Sequence, residues 1–182
     1  QSINLETFIF NSDNVGWRIA RELAARARAG VEVNCVYDSF GSLGSSGRIF
    51  SYMREHGVEV IGYRPLAPWK KFSGLAGRDH RKVLVIDGRI AYVGGMNISA
   101  DYAGKKYRGR DWRDTHLRIA GPAVRDIQFH FLENWYRHGG SVIDNLRHFP
   151  DIPRKGAKIM MVLSTRSRKK IRPIAESYLS AI

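Results

Sequence analysis

Cysteine is almost missing from this sequence. Cys35 is the one thiol in 182 residues, so no intrachain disulfide can form, and its place in the apolar run 31–37 reads as a buried thiol in a reducing compartment. Long apolar runs are missing too. None approaches the roughly 18 residues needed to cross a bilayer, and no basic start leads into a hydrophobic stretch. Neither a membrane span nor a signal peptide is therefore expected, and any membrane contact of this chain is expected to be peripheral. Metal-site spacing is also lacking: the six histidines, at 56, 80, 116, 130, 138 and 148, form no His-x3-His pair, and there is no second cysteine. No metal or other cofactor is expected. Acidic residues are scarce. Seventeen Asp and Glu face thirty Lys and Arg, a net +13, and such a surplus points to phosphate-bearing partners, either nucleic acid or an anionic membrane surface.

What is present suits a packed domain with layered α/β character. The composition is 43% hydrophobic, enough for a core within the usual size of one domain. Leu5 to Phe10 reads as a strand. Asp13 or Asn14 caps a helix whose Val15, Ile19 and Leu23 recur at helical spacing until Gly30, and Val31 to Asp38 is a second strand. Strand, helix and strand make a βαβ unit, which implies parallel pairing. After the Gly/Ser loop 41–47, a helix over 48–56 and a strand over 58–63 continue the alternation. A basic, aromatic loop spans 65–77. Further on, 113–119 alternates like a strand, and Pro122 suits the first turn of a helix to about His138. Trp135 and Tyr136 fall in that helix beside Phe131 and Leu132 and read as core. The stretch 139–157 reads as a linker, 158–163 as another strand, 166–172 as a basic loop and 171–182 as a last helix. The chain opens on Gln1, runs almost at once into an apolar strand and closes on an amphipathic stretch without a stop signal, which is the expectation for a fragment of a longer polypeptide.

The segment richest in chemistry runs from His80 to Asn97. Two apolar runs, 83–86 and 89–93, flank Asp87-Gly88, which reads as a two-residue hairpin turn. Such a turn pairs Ile86 with Arg89, Leu84 with Ala91, Lys82 with Val93 and His80 with Gly95. Opposed and alternate residues share a sheet face, so His80, Lys82 and Asn97 are expected on one side with Gly95 between them. Together they offer a nucleophile or general acid, a fixed cation and an amide donor. Gly94 and Gly95 leave backbone open for a phosphate oxygen to approach.

His80-x-Lys82-x4-Asp87-x6-Gly94-Gly95-x-Asn97 resembles the signature of the phospholipase D superfamily. The flanking stretches Tyr37 to Ser42, Arg78-Asp79-His80 and Trp112 to His116 followed by Gly121-Pro122 are similar to bacterial cardiolipin synthases, over roughly residues 4 to 138. The resemblance implies a phospholipase D-like layered α/β sandwich, with a mixed, mostly parallel sheet flanked by helices. It divides the chain into a first catalytic domain over 1–138, a linker over 139–157 and the start of a second half over 158–182. It also implies a two-step exchange in which one histidine attacks phosphorus and a histidine of another half protonates the departing alcohol. On that reading His80 is the nucleophile, Lys82 and Asn97 hold the non-bridging oxygens, and Asp114 orients the imidazole through its other nitrogen. Asp87 is expected to be structural at the hairpin turn. Charge that a metal would otherwise supply comes from the lysines.

Three functions follow as expectations. The first is a cardiolipin synthase-like phosphatidyltransferase at the cytoplasmic face of a bacterial inner membrane. It would take phosphatidylglycerol and be completed by a second phospholipase D-like half, in cis or by homodimerisation. The second is a hydrolase of the same type, or a single-motif homodimeric nuclease. The third, of a different class, is a non-catalytic module binding anionic lipid or nucleic acid. The basic loop with Lys105, Lys106, Arg108 and Arg110 reads as a solvated face that can meet anionic headgroups.

Overall fold

The computed structural model describes residues 1–65, 77–107, 109–143, 148–154, 156–164 and 173–181. Six strands form one sheet: β1 (Ser2–Thr7), β2 (Glu32–Asp38), β3 (Glu59–Tyr63), β4 (Val83–Ile86), β5 (Ile90–Gly94) and β6 (His116–Ala120). Their spatial order is β3-β2-β1-β4-β5-β6. The helices are α1 (Asn14–Arg28), α2 (Gly47–Glu55), α3 (Ala123–Arg137) and α4 (Pro173–Ala181). As expected the fold is α/β with a mixed sheet. Its balance differs from the expectation of mostly parallel strands: β1 with β2 and β2 with β3 are parallel, whereas β1 with β4, β4 with β5 and β5 with β6 are antiparallel. The parallel half is the βαβ region. The antiparallel half is the hairpin and the strand that follows it.

Local chemistry explains the ends of the elements. Asp13 caps α1, its Oδ1 accepting from the backbone N–H of Val15 (3.0 Å) and Gly16 (2.9 Å), which satisfies two of the otherwise unpaired N–H groups at a helix start. Gly16 is needed there because a Cβ would stand 1.7 Å from the Asn11 carbonyl oxygen.

Period-two alternation in β1 sets the two faces of the sheet. Ile3 and Leu5 pack with Leu23, Cys35, Ile49, Met53 and Val60 against α1 and α2, and burial there pushes the Cys35 thiol up to about 12. On the other face α3 covers Val85, Ala91 and Ile119 with Val124 and Ile127, while Phe131, Leu132 and Trp135 close over Val36. Burying each such large apolar side chain stabilises the fold by about 1.5–3 kcal/mol.

Asn4 and Glu6 point to the α3 face and bring a buried polar layer with them. Asn4 Nδ2 donates to Gln128 Oε1 (3.2 Å) and to His148 Nδ1 (3.0 Å), and Asn34 Nδ2 donates to Asn4 Oδ1 (2.9 Å). Gln128 Nε2 also meets His148 Nδ1, at 3.3 Å. With two amide donors at Nδ1, the His148 proton sits on Nε2, which donates to Glu32 Oε1 at 3.1 Å. His148 is fully buried and Ile143 nearly so. These parts of the stretch 139–157, read from sequence as a linker, are thus packed into the core.

Other boundaries moved. The strand expected over 113–119 begins at His116, after an exposed segment without regular structure. Residues 158–163, expected as a strand, pair with nothing among the described residues; Ile159 is fully exposed and Met161 largely so. Apolar character alone does not make a strand without a neighbouring edge. The expected basic loop over 166–172 and most of the 65–77 loop lie outside the described residues. Among those described, no helix is long and apolar enough to cross a membrane.

Candidate active site

The hairpin carries a register different from the expected one. Its turn is three residues, Asp87 to Arg89, and the pairs are Ile86 with Ile90, Val85 with Ala91, Leu84 with Tyr92 and Val83 with Val93. Asp87 and Gly88 both have positive φ, 52° and 60°. The Asp87 side chain is already engaged, Oδ1 accepting from the Ser2 backbone N–H at 2.7 Å. That bond ties the turn to the start of β1, and pairing with β1 and β6 sets the register of both hairpin strands. Gly94, not Val93, therefore stands opposite Lys82; its N–H meets the Lys82 carbonyl at 3.4 Å.

Parity along the strand now separates two sets of residues. Val83 and Val85 face α3. By the same alternation Asp79 and Arg81 turn inward, whereas His80, Lys82 and Leu84 turn to the opposite face. His80 is exposed. Its ring stacks on Phe8 with centroids 4.1 Å apart and planes 18° apart, and among the described residues neither ring nitrogen has a hydrogen-bond partner. Lys82 Nζ donates to the His80 carbonyl at 2.6 Å and lies 5.2 Å from the centre of the Phe8 ring. Half-burial lowers the Lys82 pKa, opposed by the negative charges of Asp79 and Asp114.

Asn97 is held at both ends of its amide. Oδ1 accepts from the Ile9 N–H (3.0 Å), and Nδ2 donates to the Tyr102 hydroxyl (2.8 Å). The second N–H of Nδ2 has no partner among the described residues. Lys82 and Asn97 line one cavity of about 700 Å³, together with Thr7, Leu84, Tyr92 and His116.

Asp114 is placed differently from the expectation. It is exposed, its Oδ1 accepts from the Thr115 N–H at 2.6 Å, and it makes no hydrogen bond to His80. Its carboxylate lies over Gly95, where a Cβ would stand 2.3 Å from both oxygens. Gly95 thus makes room for Asp114 rather than facing His80. His116, the first residue of β6, has a buried Nδ1 without a partner among the described residues, and burial lowers its pKa against the pull of Asp114.

The sequence reading missed the residues that hold this motif from below. Asp38, at the end of β2, accepts from the Phe40 and Gly41 N–H groups at Oδ1 (2.9 and 3.0 Å) and from the Asp79 N–H at Oδ2 (3.0 Å). Arg78 lies 3.6 Å from the same carboxylate, with both side chains buried. Asp79, Glu6, Arg81 and Asn134 form the next tier. Arg81 Nε reaches Asp79 Oδ1 at 3.0 Å and Glu6 Oε1 at 3.1 Å. Asn134 Nδ2 reaches Asp79 Oδ2 at 2.8 Å and Glu6 Oε1 at 2.9 Å.

Two buried carboxyls and one guanidinium leave room for a single net proton. Burial, then the hydrogen bond and charge of Asp79, raise the Glu6 pKa well above its ordinary value. Burial also pushes Asp79 up, but the hydrogen bond from Glu6 and the charge of Arg81 outweigh it and hold Asp79 below the usual range. Among the described residues Glu6 Oε2 faces no donor; a proton carried there and given to Asp79 satisfies both oxygens. The signal for this tier was present in β1, where Asn4 and Glu6 alternate with apolar residues in what proves to be an interior strand. Polar residues at both inward positions announce polar partners on the covering helix.

Fold and motif together define a phospholipase D-like domain. The architecture is similar to the crystal structure of a phospholipase D family member, Nuc from Salmonella typhimurium. The match has a TM-score of 0.57 at 19% identity and covers 75% of this chain and 78% of that one. NucT from Helicobacter pylori matches equally, with a TM-score of 0.57 at 17% identity over 74% and 79% of the two chains. The chain belongs to the family described as cardiolipin synthase, PLD-like domain, whose model matches residues 1–109. Among its curated relatives are cardiolipin synthase 2 of Staphylococcus epidermidis, 35% identical over 99% of this chain, and cardiolipin synthase of Geobacillus kaustophilus, 44% identical over 74% of it. The chain spans 37% of the length of the first and 27% of the second.

Proposed function

We propose that this chain supplies one catalytic half of a phosphatidyltransferase acting on phosphatidylglycerol. The observation that carries the reading is an exposed His80 whose ring nitrogens are unengaged among the described residues, beside the Lys82 ammonium and on the edge where Asn97 keeps one N–H for a ligand. His80 attacks phosphorus, forming a P–N bond as the P–O bond to the departing glycerol breaks. The histidine of a second half protonates that alcohol. Lys82 and Asn97 hold the non-bridging oxygens as charge builds. The hydroxyl of a second phosphatidylglycerol then displaces the histidine, giving cardiolipin; water in its place gives phosphatidic acid.

Asp114 lies over Gly95 and supports the charge of Lys82, and in this reading it orients the imidazole once both halves meet. The setting is the cytoplasmic face of a bacterial inner membrane, with the second half in cis or from another copy. The test is the full-length polypeptide carrying His80→Ala. Wild type is expected to give an acid-labile, base-stable phosphoprotein from labelled phosphatidylglycerol, and the variant none, with turnover lost. Turnover that survives the substitution overturns the assignment. The lone motif and the +13 charge also suit a nuclease that completes its site by homodimerisation. Light scattering on this chain, with hydrolysis of an oligonucleotide by any dimer, separates that reading from the first.

A further inference from the structure

The end of the sheet that presents His80 is bordered by exposed apolar tips on two independent loops. On one side, the loop after β2 packs against Phe8, the ring on which His80 stacks: a Cβ on Gly41 would stand 2.3 Å from the Phe8 carbonyl oxygen and 2.9 Å from its ring. This loop turns Phe40 and Leu43 outward, 38% and 60% exposed. On the other side, Trp112 is 62% exposed and stacks on Tyr102 (5.9 Å, 12°), whose hydroxyl binds Asn97. Cations accompany the tryptophan: Lys105, Lys106, Arg110 and Arg113 are all exposed.

Apolar residues exposed singly, such as Val142 and Ile159, are ordinary, but exposed apolar tips gathered around one edge and rimmed by cations mark an interaction surface. Indole and aliphatic tips ringed by Lys and Arg match the interface of an anionic bilayer. There the ring sits at headgroup depth, the aliphatic side chain enters hydrocarbon and the cations meet phosphates. Nucleic acid fits less well. Trp112 offers a stacking face, but Leu43 offers none, and it would stay unsatisfied against a base.

We propose that Phe40, Leu43 and Trp112, with Lys105 and Lys106, form a docking surface for an anionic lipid bilayer that sets the edge carrying His80 against the headgroup layer. The proposal rests on the lipid-directed reading of the site, but its test does not depend on turnover. This chain is mixed with vesicles of equal parts phosphatidylglycerol and phosphatidylcholine, and with vesicles of phosphatidylcholine alone, and bound protein is measured by co-sedimentation. Binding to the anionic vesicles is expected. Each of Trp112→Ala and Leu43→Ser is expected to weaken it by about tenfold, and the double change Lys105→Gln with Lys106→Gln by about thirty-fold.

Bromine-labelled acyl chains are expected to quench fluorescence in wild type more than in Trp112→Phe. Vesicle binding insensitive to Trp112 and Leu43, or absent, overturns the proposal. So does tight binding of a single-stranded oligonucleotide that Trp112→Ala abolishes. A full-length His80→Ala variant that keeps its turnover while these binding results stand would overturn the catalytic reading alone.

Discussion

Replacing Glu6 by glutamine should make the protein more resistant to alkaline unfolding while leaving its fold intact. In the native chain burial and the neighbouring Asp79 raise the pKa of the Glu6 carboxyl well above its ordinary value, while Asp79 is held below its own. Unfolded, a glutamic acid releases its proton at about pH 4.3. From that pH up to the raised native value, the folded state binds one proton that the unfolded state does not. Stability therefore declines as pH rises, by up to about 1.4 kcal/mol per pH unit for this single site. Below the unfolded value the Glu6 contribution is fully present, and above the native value it is gone.

Glutamine keeps the geometry and removes the titration, because its Oε1 still accepts from Asn134 and its amide N–H still faces Asp79. Urea unfolding of wild type and Glu6→Gln from about pH 5 to about pH 8 measures the difference for the Glu6–Asp79–Arg81 cluster, since titrating groups outside it cancel. The stability of the variant relative to wild type should climb with pH. Glu6→Ala, which leaves Asn134 and Arg81 facing a void, should cost about 2–4 kcal/mol throughout. Parallel pH profiles for wild type and Glu6→Gln would refute the shared proton.

Two further substitutions test other parts of the framework. Gly95→Ala puts a Cβ 2.3 Å from both Asp114 carboxylate oxygens. Because that carboxylate is exposed and can swing away, stability should change by less than about 1 kcal/mol, while turnover of the full-length enzyme falls as Asp114 leaves Lys82; unchanged turnover would remove Asp114 from the site. His148→Ala deprives Asn4 and Gln128 of their buried acceptor and Glu32 of its donor, and urea unfolding should register a loss of about 2–4 kcal/mol. A loss under about 1 kcal/mol would mean that this segment does not hold the sheet.

Features governed by neighbours in sequence were legible, and those governed by distant contacts were not. Asp13 and Gly30 mark α1 because capping and a positive φ, 84° at Gly30, act within one turn. Asp87-Gly88 marks the hairpin for a similar reason. Its register was misjudged because the Asp87 carboxylate is drawn to the Ser2 N–H on β1, a contact that no turn rule contains. The excess of antiparallel pairs escaped for the same cause, since β4 joins β1 across the chain. His80, Lys82 and Asn97 announce themselves by spacing. Glu6 and Asn134, which meet Asp79 from a strand and a helix remote in sequence, do not.

The motif is better understood as two interleaved sets than as a row of catalytic residues with filler between them. Along residues 79–82, which lead into β4, Asp79 and Arg81 turn inward to Glu6 and Asn134, and His80 and Lys82 turn outward to the open edge. A slip of one residue would exchange the sets, burying an imidazole and an ammonium against α3 while exposing the carboxylate and guanidinium. The Asp38 carboxylate resists that slip by binding the Asp79 N–H (3.0 Å) at one end of the segment, and the Asp87 carboxylate resists it by binding the Ser2 N–H at the other. Between those two anchors the buried ion cluster accepts only the observed parity, because only that parity pairs Arg81 with both carboxyls. The residue separating His80 from Lys82 therefore determines which way both of them point.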